Sequence, residues 1–258
     1  MMKKMERLRN PAAIVSTMAC AAWLAAPPKL DAIVIRHDRD DERYRALGNQ
    51  FPAVGALGRA GEGTLIADRW VLTAAHVATG FRRSTGVTFE DRRFGVSDVI
   101  AHPDWARRGP HDLALVLLAD AVEGIAPIPV YRGDDESGRI VTFVGRGGTG
   151  DGRTGPVRED RIKRAATNRI EEADDRWLLF TFDEPPGGTD LEGISGPGDS
   201  GGPALIDVNG SWHVAGVSVW GRQGRAGRGT YGAQEGYTRV SRHADWIART
   251  IAERQNAD

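Results

Sequence analysis

A single cysteine, Cys20, serves the entire 258-residue chain, so no intrachain disulfide can form and thiol chemistry is excluded from everything that follows it. The fold must be stabilised by packing and hydrogen bonding. Charge of one sign is equally lacking: 34 Lys and Arg stand against 35 Asp and Glu, for a formal net charge of -1. Without a basic or acidic surplus, neither nucleic acid nor an anionic membrane surface is an expected partner. The apolar stretch Ala12 to Ala26 falls short of the ~20 residues a spanning helix needs and stops at Pro27-Pro28. No stable membrane association is expected.

What precedes that stretch is basic, with Lys3, Lys4, Arg7 and Arg9. A charged start followed by a short apolar run is the pattern of a signal peptide, so residues 1–32 are expected to be a leader and the protein secreted or periplasmic. Cys20 lacks the leucine-like residue three positions earlier that a lipidation site would carry, since Thr17 stands there. A cut fits near Ala25-Ala26, or after Ala32, where Ile33-Val34 would become the new terminus.

Glycine is plentiful, at 33 residues, and proline reaches 13, which favours tight turns between short strands. Beyond Phe51 the apolar runs are short: 64–66, 70–73, 113–118, 140–144, 177–182, 204–208, 213–220 and 237–240. All read as strands, so the chain is expected to be all-β. Only 242–254 has helical spacing, with Ala244, Ile247, Ala248 and Ile251 on one side and Ser241 placed to cap it. The stretch 127–138 reads as a linker, dividing a first half, 33–128, from a second, 129–258.

Three segments carry chemistry. In Gly198-Asp199-Ser200-Gly201-Gly202-Pro203, one serine stands where side chains are nearly absent. A substrate backbone can approach it, and the N–H groups of Gly198 and Ser200 are candidates to hold an oxyanion. Leu72-Thr73-Ala74-Ala75-His76 brings an apolar run to a histidine with small neighbours, able near neutrality to take and return a proton. In His111-Asp112-Leu113-Ala114-Leu115, a carboxylate opens an apolar strand, a costly placement unless it accepts hydrogen bonds, such as the second N–H of a working imidazole. Each segment alone is commonplace: a glycine turn, a strand-end histidine, a strand-start cap.

Together, in the order His, Asp, Ser, they resemble the chymotrypsin-like, trypsin-fold serine proteases. Supporting stretches are Ile100-Ala101-His102-Pro103, Val219-Trp220-Gly221 and Tyr237-Thr238-Arg239-Val240. The absence of disulfides makes a bacterial-type secreted member the expectation. The resemblance implies two antiparallel six-stranded β-barrels with a C-terminal helix and a cleft between the barrels. It also implies a serine endopeptidase acting through an acyl-enzyme, with Ser200 as nucleophile, His76 as general base, Asp112 orienting it, and Gly198 and Ser200 forming the oxyanion hole. No cofactor and no metal is implied. The partner is a protein or peptide substrate, and the enzyme is expected to be a monomer.

The specificity pocket departs from the pattern. Ile194 stands six residues before the serine, where trypsin-like members have aspartate, and Glu235 lies on the stretch that forms the far pocket wall. Glu235 either enters the pocket and favours cationic side chains or turns outward and leaves an apolar pocket. Ser195, Val219, Trp220 and Gly221 complete the expected lining. Val219 replaces a serine near the buried aspartate, and Ser218 is the candidate to compensate. The resemblance further implies that Asp199 pairs with a freed N-terminal amine, which cleavage after Ala32 would place on Ile33. The other histidines, His37, His102, His111, His213 and His243, are read as structural. The alternatives are a catalytically silent binding module and a periplasmic quality-control protease.

Overall fold

The computed structural model describes residues 33–106 and 111–256, so the expected leader and Cys20 lie outside the described residues. Two large antiparallel sheets divide the chain. The first runs in the order Arg92–Phe94, Val87–Phe89, Val54–Ala56, Glu62–Ala67, Trp70–Thr73, Ala114–Leu118, Val96–Ala101. The second runs Arg164–Arg169, Ile140–Gly145, Pro203–Val208, Ser211–Arg222, Gln234–Arg239, Trp177–Thr181, Glu172–Ala173. Each forms a half-barrel, and with the C-terminal helix they bear out the all-β class. Each sheet contains seven strands, where six were expected, because short segments such as Glu172–Ala173 pair onto an edge.

A third sheet was not foreseen. Val34–Ile35 lies antiparallel to Gly193–Ile194 and parallel to Gly148–Asp151, so the chain's early residues are seated among elements of the second half. Ile33 and Val34 are both fully buried there.

The best-read strands are those buried on both faces, whose sequence is a continuous apolar run. Ala114–Leu118 sits between Trp70–Thr73 and Val96–Ala101 with every residue buried. The largest apolar core spans both halves, from Leu65, Leu72 and Leu115 to Leu205, Val217 and Ile247. Each such side chain, fully buried, contributes roughly 1.5–3 kcal/mol relative to exposure.

The expected linker is tied down. Tyr131 N donates to Val214 O and Val214 N to Pro129 O, each at 2.9 Å. Glu136, fully buried, accepts from Arg239 Nε at 2.9 Å and from the Ser241 hydroxyl at 2.7 Å. Ser241 is therefore not the helix cap: it sits in a 3₁₀ turn, Val240–His243, and the helix proper is Ala244–Gln255.

Candidate active site

The register of the first sheet builds the histidine–aspartate pair. Thr73 opposes Ala114, so the segment leaving one strand lies beside the segment entering the next. His76 stands in the first turn of a short helix, Ala75–Gly80, and Asp112 lies two residues before its strand. The carboxylate uses both oxygens on the same residue: Oδ1 accepts the His76 backbone N–H at 2.9 Å and Oδ2 contacts Nδ1 at 2.7 Å. An ionised carboxylate can only accept, so Nδ1 carries the ring proton and Nε2 keeps its lone pair. Asp112 is buried and the imidazole is partly open to the cleft.

Ser200 comes from the second half, and its segment meets the one that leads to His76 along a backbone seam. Its carbonyl accepts the Glu62 N–H at 2.9 Å, while Thr73 Oγ1 donates to Glu62 O at 2.7 Å. Gly201 closes the seam with φ +81°, and a Cβ there would lie 2.2 Å from Thr73 Oγ1 and 3.2 Å from Ala74 N. Only glycine fits. The segments bearing Ser200 and His76 therefore touch one and two residues away from those side chains. A buried pair, Glu62 with Arg146 at 2.9 Å, ties the two sheets together beneath the seam, and burial pushes the Glu62 carboxyl up.

The loop before Ser200 is held by Asp199, whose Oδ1 accepts the Gly147 N–H at 2.9 Å and whose Oδ2 accepts the Gly196 N–H at 2.8 Å. Gly198 adopts φ +102°, and neither its N–H nor that of Ser200 finds an acceptor among the described residues. Two donors beside the Ser200 side chain are thus left without a protein acceptor among the described residues.

Next to Ser200 lies a pocket lined by Ile194, Ser195, Ser218, Trp220, Gly221 and Glu235, with Val219 also on its wall. Glu235 turns inward: one carboxyl oxygen accepts the Ser195 N–H at 3.0 Å and the other the Ser195 hydroxyl. Burial pushes its carboxyl up to about 8, against those hydrogen bonds; the Asp199 charge adds to the rise and Arg228 opposes it. Ser218 does not compensate at Asp112. Its hydroxyl lies 3.3 Å from that of Ser195, on the pocket side. Arg228, Gln234 and Gly196 also line the pocket, and sequence reasoning missed them because a glycine-rich loop carries no periodicity from which to read orientation.

Residues 42–247 match the family described as Trypsin. The chain belongs to the trypsin family. It is 30% identical over 230 residues to complement C1s subcomponent of Rattus norvegicus, covering 75% of this chain and 32% of that protein. It is also 30% identical over 224 residues to CLIP domain-containing serine protease B10 of Anopheles gambiae, covering 73% of this chain and 60% of that one. Among solved structures it resembles neuropsin, a serine protease expressed in the limbic system of mouse brain, with TM-score 0.59, 21% identity, and coverage of 79% of this chain and 96% of that one. That likeness concerns the fold. This trypsin-family chain spans between a third and three fifths of the length of those curated relatives. Both relatives are animal proteins and lend no support to a bacterial-type subgroup.

Proposed function

We propose that the chain is a serine endopeptidase in which Ser200, His76 and Asp112 form one catalytic unit. The observation that carries this reading is the Asp112–His76 pair, with Nδ1 bound and Nε2 free, one backbone seam away from Ser200. The Ser200 hydroxyl oxygen bonds to the scissile carbonyl carbon as its proton passes to His76 Nε2. The resulting oxyanion is held by the N–H groups of Gly198 and Ser200. His76 then delivers the proton to the leaving amine as the C–N bond breaks, and water hydrolyses the acyl ester by the same route in reverse.

The pocket favours a long side chain with a cationic tip, because Glu235 ends among polar partners while Ile194 and Trp220 supply apolar wall. An incoming ammonium or guanidinium would draw the Glu235 proton off and pair with the carboxylate. The apolar wall of Ile194 and Trp220 favours a second reading in which large apolar side chains are also taken. Cleavage of a diverse peptide mixture, followed by mass spectrometry, tests both: enrichment of Lys or Arg before the cut supports Glu235, and apolar enrichment supports Ile194.

We further read 33–128 and 129–258 as the two halves, 1–32 as a leader directing secretion, and Ile33 as the amine partner of Asp199. The supporting facts are that Ile33 is fully buried, Asp199 is 1% exposed, and Val34–Ile35 pairs with Gly193–Ile194, a few residues before Asp199. Sequencing the N-terminus of the secreted protein tests this directly.

A further inference from the structure

Three histidines that the sequence left as structural meet beside Asp112. His102 follows the strand Val96–Ala101, His111 immediately precedes Asp112, and His243 closes the 3₁₀ turn before the C-terminal helix. One ring nitrogen from each lies within 4.8 Å of the others. His111 Nδ1 and His243 Nε2 are 2.9 Å apart, and the His102 ring stacks on His111 at 5.0 Å with Trp246 packed on it at 4.7 Å.

The arrangement around His243 is that of a metal ligand. Its Nδ1 contacts the Arg239 carbonyl at 3.0 Å, and because a carbonyl only accepts, that nitrogen carries the proton and the Nε2 lone pair faces the cluster, where it accepts from His111 Nδ1. A backbone carbonyl holding the far ring N–H in this way fixes the tautomer and aims the ligand. His102 Nδ1 accepts the Asp104 N–H at 3.2 Å, a bond His102 gives up when it turns a lone pair to a metal.

We propose that His102, His111 and His243 form a site for a divalent transition-metal ion of the zinc class, and that filling it disturbs the Asp112–His76 pair. Zinc bound to nitrogen at about 2.0–2.1 Å in tetrahedral geometry separates its ligands by roughly 3.3 Å. The His111–His243 hydrogen bond must open slightly, His102 must close in and release the Asp104 N–H, and His111 must carry its proton on Nε2 so that Nδ1 can bind. A fourth position is left for water. Imidazole donors suit zinc, cobalt, nickel and copper better than calcium or magnesium.

The link to the active site is covalent and short. His111 holds φ +67° and its carbonyl accepts the Leu113 N–H at 2.8 Å, wrapping a tight turn around Asp112. Pulling the His111 ring toward a metal turns the peptide that carries Asp112. This second half of the inference rests on the catalytic reading of Asp112, whereas the metal site stands without it.

The test is a calorimetric titration of the full protein with Zn²⁺, with visible spectra of the Co²⁺ form. His102→Phe, which keeps the stacking ring, and His111→Asn, which tolerates positive φ, serve as variants. One ion per chain, tetrahedral cobalt bands, and an affinity at least about tenfold weaker in both variants are expected. The low-field Nδ1–H proton signal of His76 should shift with zinc in the wild type and stay fixed in His102→Phe, whether or not the protein cleaves peptides. No binding, or binding unchanged in both variants, would overturn the site. Binding with an unmoved His76 signal would overturn the coupling. Zinc binding by a chain that cleaves nothing would leave the site standing and count against the proposed function alone.

Discussion

At Glu235 the proton is retained by burial, with no cation among the described residues within hydrogen-bonding distance to release it. In an unfolded chain this carboxyl ionises near 4.5, and in the folded protein near 8, so the native state binds the extra proton between those values. A raised carboxyl pKa contributes stability that is fully present below the unfolded value and is lost as pH rises through the folded one. Glu235→Gln, which does not titrate, should therefore match the wild type in thermal stability at pH 4.5 and exceed it at pH 9, as thermal melts across that range would reveal. The same titration acts on substrates: kcat/KM for Lys or Arg substrates should rise relative to apolar ones as pH climbs through about 8, and Glu235→Gln should flatten the trend. At Asp112, replacement by asparagine keeps the shape of the pair but removes the acceptor that fixes the His76 tautomer. A fall in kcat of about 10⁴-fold with unchanged thermal stability is expected.

Between elements, the pair Glu62–Arg146 joins the two sheets under the seam that carries Ser200, and its side chains are 3% and 13% exposed. Arg146→Leu would strand a buried carboxylate at a cost of about 3–5 kcal/mol, readable as a lower urea midpoint. Gly201→Ala, by contrast, should perturb the site first, since its Cβ would strike Thr73 Oγ1 where the His76 and Ser200 segments meet. Strands such as Trp70–Thr73 were legible in the sequence because they are buried on both faces and read as apolar runs. The helix Asp41–Gly48 and the strand Arg164–Arg169 were not. Arg164 is fully buried, yet its guanidinium is satisfied by Asp41 and Asp160, partners 123 and 4 residues away. A charge buried through long-range pairing leaves no periodic signal. The histidine cluster was hidden for the same reason, its His111–His243 contact joining residues 132 positions apart.

For the whole molecule, the segments flanking the cleft were legible because their small residues and lone polar groups are a local pattern, whereas the inward turn of Glu235 depended on strand register. The burial of Ile33 and the pairing of Val34–Ile35 with Gly193–Ile194 seat the earliest described residues among elements of the second half, as the proposed Ile33 terminus requires. The secreted form should begin at Ile33, and a variant blocked from cleavage there should fold but turn over substrate at least tenfold more slowly, as N-terminal sequencing and steady-state kinetics on the two forms would measure. The central claim is that this trypsin-family chain hydrolyses peptide bonds through Ser200. Its most direct test is mass-spectrometric profiling of a peptide mixture with the processed protein beside Ser200→Ala. Discrete cuts made by the wild type and absent from the variant are the predicted result, while equal cleavage by both, or none by a folded and processed wild type, would contradict it.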